Sequence, residues 1–426
     1  MRATFRSLRH YNYRLWALGA LVSNVGTWMQ RTAQDWIVLT QLTHNDATAL
    51  GIVMSLQFGP QLLLLPLAGP TADRVDRRRL LVTTQALMGT LAFALGVLTI
   101  LGVAVLWHVY LLAFLLGCVT AFDAPARQTF VGDLVGEMDL SNAVALNATS
   151  FHAARLIGPA AAGIFVAELG AGWAFILNAA SFGAVVLALV VLRTRELHPR
   201  SRAVEKQGGF VQGLHYVWNR PDLVAVLLMM FLVSTFGLNF AIFIPTMVVE
   251  SFHAGATQFG TLASLMGAGS VAGALFTAGQ ERPRLPVLLS GAAIFGAASA
   301  FCALAPTVWL FGSALVLTGA AAQVYMTSTN SLVQLSTEQA MRGRVMAILM
   351  AIVLGCTPLG APVVGWVADT FGPRWALGVA AGSGFAAALV GIRYMMKHGQ
   401  RHLHLGLHRA RLHSQRAGSD DCDPSA

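Results

Sequence analysis

The chain has 426 residues, of which 56% are hydrophobic and only 11% are charged. Soluble domains carry about 25% charged residues, so this composition excludes an ordinary soluble protein and indicates many membrane spans. The formal net charge of +9 would suggest a nucleic-acid partner in a soluble protein, but basic loops beside membrane spans account for it more simply.

Apolar segments of about 20 residues or more, long enough to cross a bilayer, recur along the whole chain. We number them as spans 1 to 12, which predicts an all-α membrane protein with twelve transmembrane helices. Both termini then lie on the same side of the membrane. The predicted spans are 15–40, 48–68, 80–102, 106–127, 142–168, 172–193, 222–249, 257–279, 286–305, 308–333, 344–369 and 373–396.

The segment 69–80, between spans 2 and 3, is the densest run of charge in the chain. Lysine and arginine near span ends resist translocation, so this loop should be cytoplasmic. With that orientation, the lysines and arginines outside the cytoplasmic segments are Arg31, Arg127 and Arg155, within spans, and Arg374, in an outer loop. We therefore predict a multi-pass protein of the cytoplasmic membrane with both termini in the cytoplasm.

The second half of the chain repeats features of the first half at an offset of 202 residues. The repeated pairs are Gly117 and Gly319, Gly158 and Gly360, Gly163 and Gly365, Gly170 and Gly372, and Trp173 and Trp375. An unbroken offset over three spans predicts two parallel six-helix repeats, related by an axis along the membrane normal. A site is expected between such repeats, near the midplane.

The loop after span 2 carries a known signature. In the major facilitator superfamily, the loop between helices 2 and 3 reads Gly-x-Leu-Ala-Asp-Arg-x-Gly-Arg-Lys/Arg. This sequence resembles that pattern at Gly69, Ala72, Asp73, Arg74, Arg77 and Arg78. The resemblance implies the fold of that superfamily and a role for Gly69, Asp73, Arg74, Arg77 and Arg78 in the conformational switch.

The same loop departs from the superfamily pattern at two positions. Thr71 stands where the pattern has leucine, and Asp76 stands where it has glycine. An acidic residue at the position of Asp76 fits the branch that resembles enterobactin exporters.

The spans and loops together divide the chain into five segments. These are a cytoplasmic N-terminus at 1–14, a first half at 15–193, a cytoplasmic linker at 194–221, a second half at 222–396 and a basic tail at 397–426. The apolar spacing at 210–218 favours a linker helix that lies along the membrane surface. The histidines of the tail could bind a metal, but such tails are more often disordered and attracted to anionic lipid, so we expect no metal site.

Polar side chains within spans are costly in lipid and therefore mark candidate functional positions. They form stripes on spans 1, 4, 7 and 10, the helices that line the central cavity in transporters of the superfamily that this chain resembles. The candidate cavity-lining residues are Asn24, Thr27, Gln34, Thr120, Ser234, Thr235, Asn239, Gln323, Tyr325, Thr327 and Asn330.

Charged residues within the spans are candidates for proton coupling. Arg31 and Asp35 are one helical turn apart and could pair. Because desolvation and an opposite charge shift a carboxylate pKa in opposite directions, Asp35 could alternate between protonated and charged forms. The alternative is an ion pair that only holds span 1 in place. Asp123 is a second candidate, unless it pairs structurally with Arg127, and Arg155 needs a carboxylate partner or an anionic ligand.

Span 5 contains a second family-like segment. Gly158, Pro159 and Gly163 resemble the signature Gly-x-x-x-Gly-Pro-x-x-Gly-Gly of drug-exporting antiporters, although Ala154 and Ala162 stand where it has glycine. Small residues let helices approach closely and proline bends a helix, so the match favours export through helix packing.

One expected residue of drug:proton antiporters is absent. Their arginine in helix 4 would fall near Ala113, so Arg31 or Arg155 would have to take its place. The only lysines, Lys206 and Lys397, are not in a nucleotide-binding motif, and no hydrolase motif occurs, so we expect neither enzyme activity nor a cofactor.

We predict a secondary transporter that works by alternating access and exports a small amphipathic molecule, such as a drug or a siderophore, in exchange for protons. The alternatives are an importer or uniporter of a small solute, and a membrane sensor that transports nothing. The expected partners are the small-molecule substrate, protons and the lipid bilayer, with no nucleic acid, and the protein is expected to be a monomer.

Overall fold

The computed structural model of the chain describes residues 5–198, 210–280 and 285–417. Within these ranges the chain forms α-helices, with a few short 3-10 and π turns and no β-strand. Ten helical segments in this part of the chain are long and apolar enough to cross a membrane. The predicted all-α membrane class is therefore confirmed.

The described part of the chain forms thirteen α-helices. They are α1 (Tyr11–Ile37), α2 (Ala47–Arg74), α3 (Arg77–Ile100), α4 (Leu106–Glu168), α5 (Ala171–Val191), α6 (Phe210–Trp218), α7 (Pro221–Leu232), α8 (Phe240–Thr246), α9 (Ala256–Ala278), α10 (Leu285–Leu304), α11 (Val308–Ser336), α12 (Arg342–Phe371) and α13 (Pro373–Ala417). Span 7 corresponds to α7, a π turn at Val233–Gly237, α8 and a second π turn at Met247–Ser251.

The long helix α4 consists of two helices joined at Gly136. This residue has φ 71° and ψ −172°, a conformation that is open to glycine and strained for other residues. The chain that leaves α5 packs here, and the amide of His198 donates to the Asp133 carbonyl at 2.8 Å. We call the two parts α4a, before Gly136, and α4b, after it; they correspond to predicted spans 4 and 5.

The predicted number of twelve spans depends on how two helices are counted. Helix α1 is not among the ten apolar segments, because residues such as Gln30, Arg31 and Asp35 lower its hydropathy. Counting α1 and the two parts of α4 separately would give twelve. The number twelve remains a prediction.

The segments around the two halves are described in part. Helix α6 lies where the linker helix is predicted, and residues 199–209 of the linker lie outside the described ranges. The backbone of α13 continues to Ala417, within the predicted tail. The side chains of the tail histidines lie outside those that the structure describes.

The repeat is visible in the helix contacts. A side chain at Gly117 would overlap the Gln57 carbonyl of α2, and a side chain at Gly319 would overlap the Met266 carbonyl of α9. Span 4 thus packs on span 2 as span 10 packs on span 8. Glycine at these positions allows the backbones to touch.

The same correspondence holds where spans 5 and 11 meet other helices. Gly158 of α4b packs against Trp28 of α1, while Gly360 of α12 packs against the Thr235 carbonyl in the π turn of span 7. These two contacts join span 5 to span 1 and span 11 to span 7. The sequence repeat is therefore also a repeat of packing.

The segment 69–80 contains the end of α2, the turn at 75–76 and the start of α3, and we continue to call it the loop between α2 and α3. It joins helices of the first half at one end of the bundle, which we call the basic end. Arg77 donates both to Asp133 Oδ1 at 3.0 Å and to Asp133 Oδ2 at 2.9 Å. Arg78 donates to the carbonyls of Leu189 at 2.7 Å and Val190 at 3.0 Å, in the last turn of α5. The loop thus ties α3 to the ends of α4a and α5.

Asp76 has a local structural role in this loop. Its carboxylate accepts from the Arg79 amide at 2.8 Å, so it is the N-cap of α3. The departure from the superfamily's glycine is thereby explained. A side chain at Gly69 would meet open space, and the side chain of Asp73 lies outside those described.

We predict that Arg77→Ala destabilises the protein by about 3 kcal/mol, because it leaves the Asp133 carboxylate without its cationic partner at a site that is only 9% exposed. Arg79→Ala removes an exposed arginine from the same loop and is the matched control. Thermal unfolding of both variants in detergent tests this. Equal melting temperatures for the two variants would show that the Arg77–Asp133 pair contributes nothing.

Candidate functional site

A cavity of about 420 Å³ lies between the two halves; we call it the central cavity. Side chains from α1, α2, α4b, α8, α9, α11 and α12 line it. Small-molecule sites usually have volumes of about 300–1,000 Å³, so this cavity can hold one small molecule. It lies between the repeats, where the sequence predicts a site.

Most of the wall is apolar. Five aromatic rings face the cavity, those of Trp28, Phe58, Phe151, Phe240 and Phe259. The second half adds aliphatic and thioether side chains, namely Leu238, Ala241, Ile244, Ala263, Met266, Ala322, Met326, Val353 and Leu354. The wall therefore favours an apolar or aromatic ligand.

Among the described residues, the charged ones in the wall all come from the first half. They are Arg31 and Asp35 on α1 and Arg155 on α4b. Although Arg31 and Asp35 are one turn apart, no ion pair within 4.0 Å joins Asp35 to either arginine in the described structure. The three side chains thus share the cavity without direct pairing.

Both arginines pack on the same aromatic ring. The guanidinium carbon of Arg31 lies 5.3 Å from the Trp28 ring centroid, and that of Arg155 lies 5.6 Å from it. Arg31 also lies 5.4 Å from the centroid of Phe58. Each such contact contributes about 0.5–2 kcal/mol of cation–π attraction.

Close helix packing brings Arg155 to this place. Gly158, three residues further along α4b, allows the backbone to approach Trp28 of α1. On the opposite side, a side chain at Gly267 of α9 would lie 3.0 Å from the Arg155 carbonyl, so α9 also packs directly on this turn. Pro159 of the family-like segment lines the cavity itself.

Asp123 lies away from the central cavity, between α3 and α4a. Its Oδ1 accepts from Thr84 at 2.8 Å and Gln85 at 2.7 Å, and its Oδ2 accepts from Arg127 at 3.0 Å. Thr120, one turn before it, donates to the Leu116 carbonyl at 2.7 Å. Span 4 is thus absent from the cavity wall.

Three of the polar candidates follow one another along α11. Gln323 lines the central cavity and donates to Thr327 at 3.1 Å. Thr327 and Asn330 line a second cavity of about 170 Å³, which shares Gln323, Met326 and Val353 with the first. The second cavity lies nearer the basic end, because α11 runs towards that end.

The remaining polar candidates lie outside the walls of both cavities. On α1, Asn24 is 3.5 Å from the Ser150 hydroxyl, Thr27 is half-buried and Gln34 is buried. In span 7, Ser234, Thr235 and Asn239 are buried around the π turn, and Asn239 donates to the Thr235 carbonyl at 2.8 Å. Tyr325 is fully buried beside Gly291 of α10.

Polar wall residues on spans 2, 8 and 11 escaped the sequence prediction. They are Gln57, Ser270 and Thr357. Each is a polar residue in an apolar span, which was a visible signal. Ser270 and Thr357 have no polar residue one turn away on the same face, whereas Gln57 has Gln61. Trp28 was also missed, although it lies three residues before Arg31 on the same helical face.

The two halves close the cavity at the end opposite the basic end, which we call the far end. Asp369 of α12 accepts from the amides of Ala47 at 2.7 Å and Thr48 at 2.9 Å, at the start of α2. Trp36 of α1 stacks on Phe259 of α9, with ring centroids 5.8 Å apart. The molecule is therefore closed at the far end.

We predict that Asp369→Ala favours opening at the far end, because it removes a cap that joins α12 to α2. Asp46→Ala is the matched control, since Asp46 caps the same helix from its own half by accepting from Ala49 at 2.8 Å. The reporter is a cysteine introduced at Ala263 in a protein whose four native cysteines are replaced. When an impermeant maleimide is added on the far-end side, this cysteine should react faster in Asp369→Ala and at the unchanged rate in Asp46→Ala. Loss of about 1–2 kcal/mol would change the open population about 5–30-fold. Equal reactivity in both variants would contradict the prediction.

Comparison with known proteins identifies relatives along nearly the whole chain. The sequence profile of a family described as transmembrane secretion effector matches residues 2–413. The multidrug efflux pump Tap of Mycolicibacterium fortuitum is 27% identical over 373 residues, covering 83% of this chain and 88% of that protein.

Two further relatives are named for siderophores. The staphyloferrin A transporter of Staphylococcus aureus is 26% identical, covering 82% of this chain and 87% of its own. The enterobactin exporter EntS of Citrobacter koseri is 25% identical, covering 85% of this chain and 86% of its own.

Solved structures share the fold at low sequence identity. A bacterial homologue of the lysosomal transporter Spinster, inward-facing and unoccupied, matches with a TM-score of 0.69 and 14% identity, covering 91% of this chain and 95% of that one. A D-xylose-proton symporter matches with a TM-score of 0.68 and 15% identity, covering 90% and 97%.

Proposed function

This chain belongs to the transmembrane secretion effector family of major facilitator superfamily transporters, and we propose that it exports a small amphipathic molecule in exchange for protons. The observation that carries the proposal is the central cavity, in which an aromatic and apolar wall surrounds a single carboxylate, Asp35. The names of its relatives, an efflux pump and an enterobactin exporter among them, support both the direction and the kind of substrate.

The proposed orientation places the basic end and both termini in the cytoplasm. The high density of arginine in the loop between α2 and α3 supports this orientation. With this orientation the halves are joined at the outer side by the contacts of Asp369 and Trp36, and we therefore assign the structure to the inward-facing state. Alternating access would require the contacts of Asp369 and of Trp36 with Phe259 to separate while the cytoplasmic side closes.

We assign proton coupling to Asp35. Its carboxylate faces the cavity, forms no ion pair with Arg31 or Arg155, and accepts no hydrogen bond from another described side chain. A carboxylate in this setting can exchange protons with whichever side the cavity faces. Its protonation would leave two arginines without a counter-charge, which changes the field across the whole site.

Asp123 is better suited to a structural role. Its carboxylate is buried and accepts hydrogen bonds from Thr84, Gln85 and Arg127. The first two of these hydrogen bonds join α3 to α4a, and all three lie outside the wall of the central cavity. We therefore propose that Asp123 holds α3 on α4a, and that Asp35 carries the proton.

The protein is proposed to act as a monomer in the cytoplasmic membrane. The two halves of the chain together supply the described wall of the central cavity, which supports this proposal.

Efflux from loaded proteoliposomes of known orientation tests the proposal, with a panel of amphipathic compounds and with or without an imposed proton gradient. Gradient-dependent efflux is expected. Movement that ignores the gradient would indicate a uniporter, and no movement across a broad panel would indicate a sensor.

We predict that Asp35→Asn abolishes gradient-driven efflux and leaves the protein folded in the membrane, because asparagine keeps the shape of aspartate and cannot carry the proton. Asp46→Asn is the control, since asparagine caps a helix as well as aspartate does. The measurement is the initial efflux rate as a function of external pH. Full transport by Asp35→Asn with the normal pH dependence would refute the coupling role.

We predict that Asp73→Asn lowers the turnover rate more than substrate affinity, because the loop after α2 acts on the conformational switch. Asp76→Asn changes the same charge in the same loop, but asparagine can still cap α3. Efflux rates and substrate Kd values for both variants test this. A wild-type turnover rate in Asp73→Asn would count against the switch role.

A further inference from the structure

The wall of the central cavity carries unbalanced positive charge. Arg31 and Arg155 face the cavity together with one described carboxylate, Asp35, so the described wall has a net charge of one positive unit while Asp35 is ionised. Neither guanidinium has a carboxylate oxygen within 4.0 Å in the described structure. The sequence left open whether Arg155 meets an acidic partner or an anionic ligand.

In the structure, neither of the predicted acidic partners, Asp35 and Asp123, forms an ion pair with Arg155. Asp123 is bound to Thr84, Gln85 and Arg127, outside the wall of the central cavity. Asp35 forms no ion pair with Arg155. The contact that the structure does give the Arg155 guanidinium is the Trp28 ring.

The hydrogen-bonding capacity of both arginines is also unused. A guanidinium has five N–H donors, and neither Arg31 nor Arg155 donates to another described residue. The Arg31 Nε is buried without any partner. Buried polar groups without partners are costly, so this part of the cavity favours a ligand that supplies acceptors.

The part of the wall that the second half contributes favours the apolar part of an amphipathic molecule. The second half contributes Phe240, Ile244, Phe259 and Met266, and no charged residue. Guanidinium groups bind planar oxyanions such as carboxylates through two parallel hydrogen bonds. One molecule can therefore place an oxyanion near Trp28 and an aromatic or aliphatic body on the second-half wall.

We propose that Arg155, assisted by Arg31, forms an anion subsite, and that the transported molecule is an amphipathic anion with an oxyanion head group. This inference rests on the proposed transport function and adds the charge of the substrate to it. Trp28 is a positioning residue, since it holds both guanidinium groups at one place in the cavity.

Binding of three matched fluorescent probes tests the subsite. Dansylglycine, dansylglycinamide and dansylethylenediamine share one fluorophore and carry an anionic, a neutral and a cationic head group. Full-length protein in phosphatidylcholine nanodiscs, free of anionic lipid, is titrated with each probe. Energy transfer from tryptophan to the dansyl group reports binding, and empty nanodiscs give the background.

We expect dansylglycine to bind about tenfold or more tightly than dansylglycinamide, the range for a hydrogen-bonded charged group. Arg155→Met should remove this preference and leave the affinity for the neutral amide unchanged, which also shows that the cavity is intact. Arg155→Lys should retain part of the preference. Arg79→Met, which removes an exposed arginine outside the cavity, should behave like the wild type.

Equal wild-type affinity for the anionic and neutral probes, or a preference for the cationic probe, would overturn the proposal whatever the variants do. Anion preference that survives in Arg155→Met would also overturn it. The assay does not depend on transport. Anion-selective binding without gradient-driven efflux would refute the proposed export and support the anion subsite. Gradient-driven efflux without anion-selective binding would support export and refute the anion subsite.

Discussion

The cost of an unpaired charge inside an apolar helix bundle is the constraint on which this structure depends. Structural charges are paired with nearby groups, which offsets this cost. Asp133 accepts hydrogen bonds from Arg77, and Asp123 accepts hydrogen bonds from three neighbouring side chains. In the central cavity, Arg31 and Arg155 pack on aromatic rings and form no ion pair with a described carboxylate. The contrast separates structural charges from charges that are available to a ligand.

The two halves share their packing and differ in their chemistry. Glycines at equivalent positions join span 4 to span 2 and span 10 to span 8, so the backbones of both halves follow one plan. The charges of the cavity wall, however, all belong to the first half. The two halves thus have similar backbone packing, but one contributes charged side chains to the cavity and the other contributes apolar and neutral polar side chains.

Much of this fold could be predicted from the sequence because its signals are strong and local. Span-length apolar segments and the 202-residue offset indicate a helical membrane protein with two repeats. A polar stripe such as that of Asp123 shows that one helical face avoids lipid, but not which helix covers that face. Its donors, Thr84 and Gln85, lie 39 and 38 residues earlier in the chain. Apolar residues that line the cavity, such as Phe240, cannot be recognised from the sequence, because the side chains that face lipid are apolar as well.

The start of α2 has a mechanical consequence for the motion between the halves. It is capped twice, by Asp46 from its own half and by Asp369 from the other half. When the halves separate, the first cap stays in place, so the helix end does not fray. The separation can then proceed as a movement of rigid bodies, in which hydrogen bonds between domains break while secondary structure inside each domain is conserved.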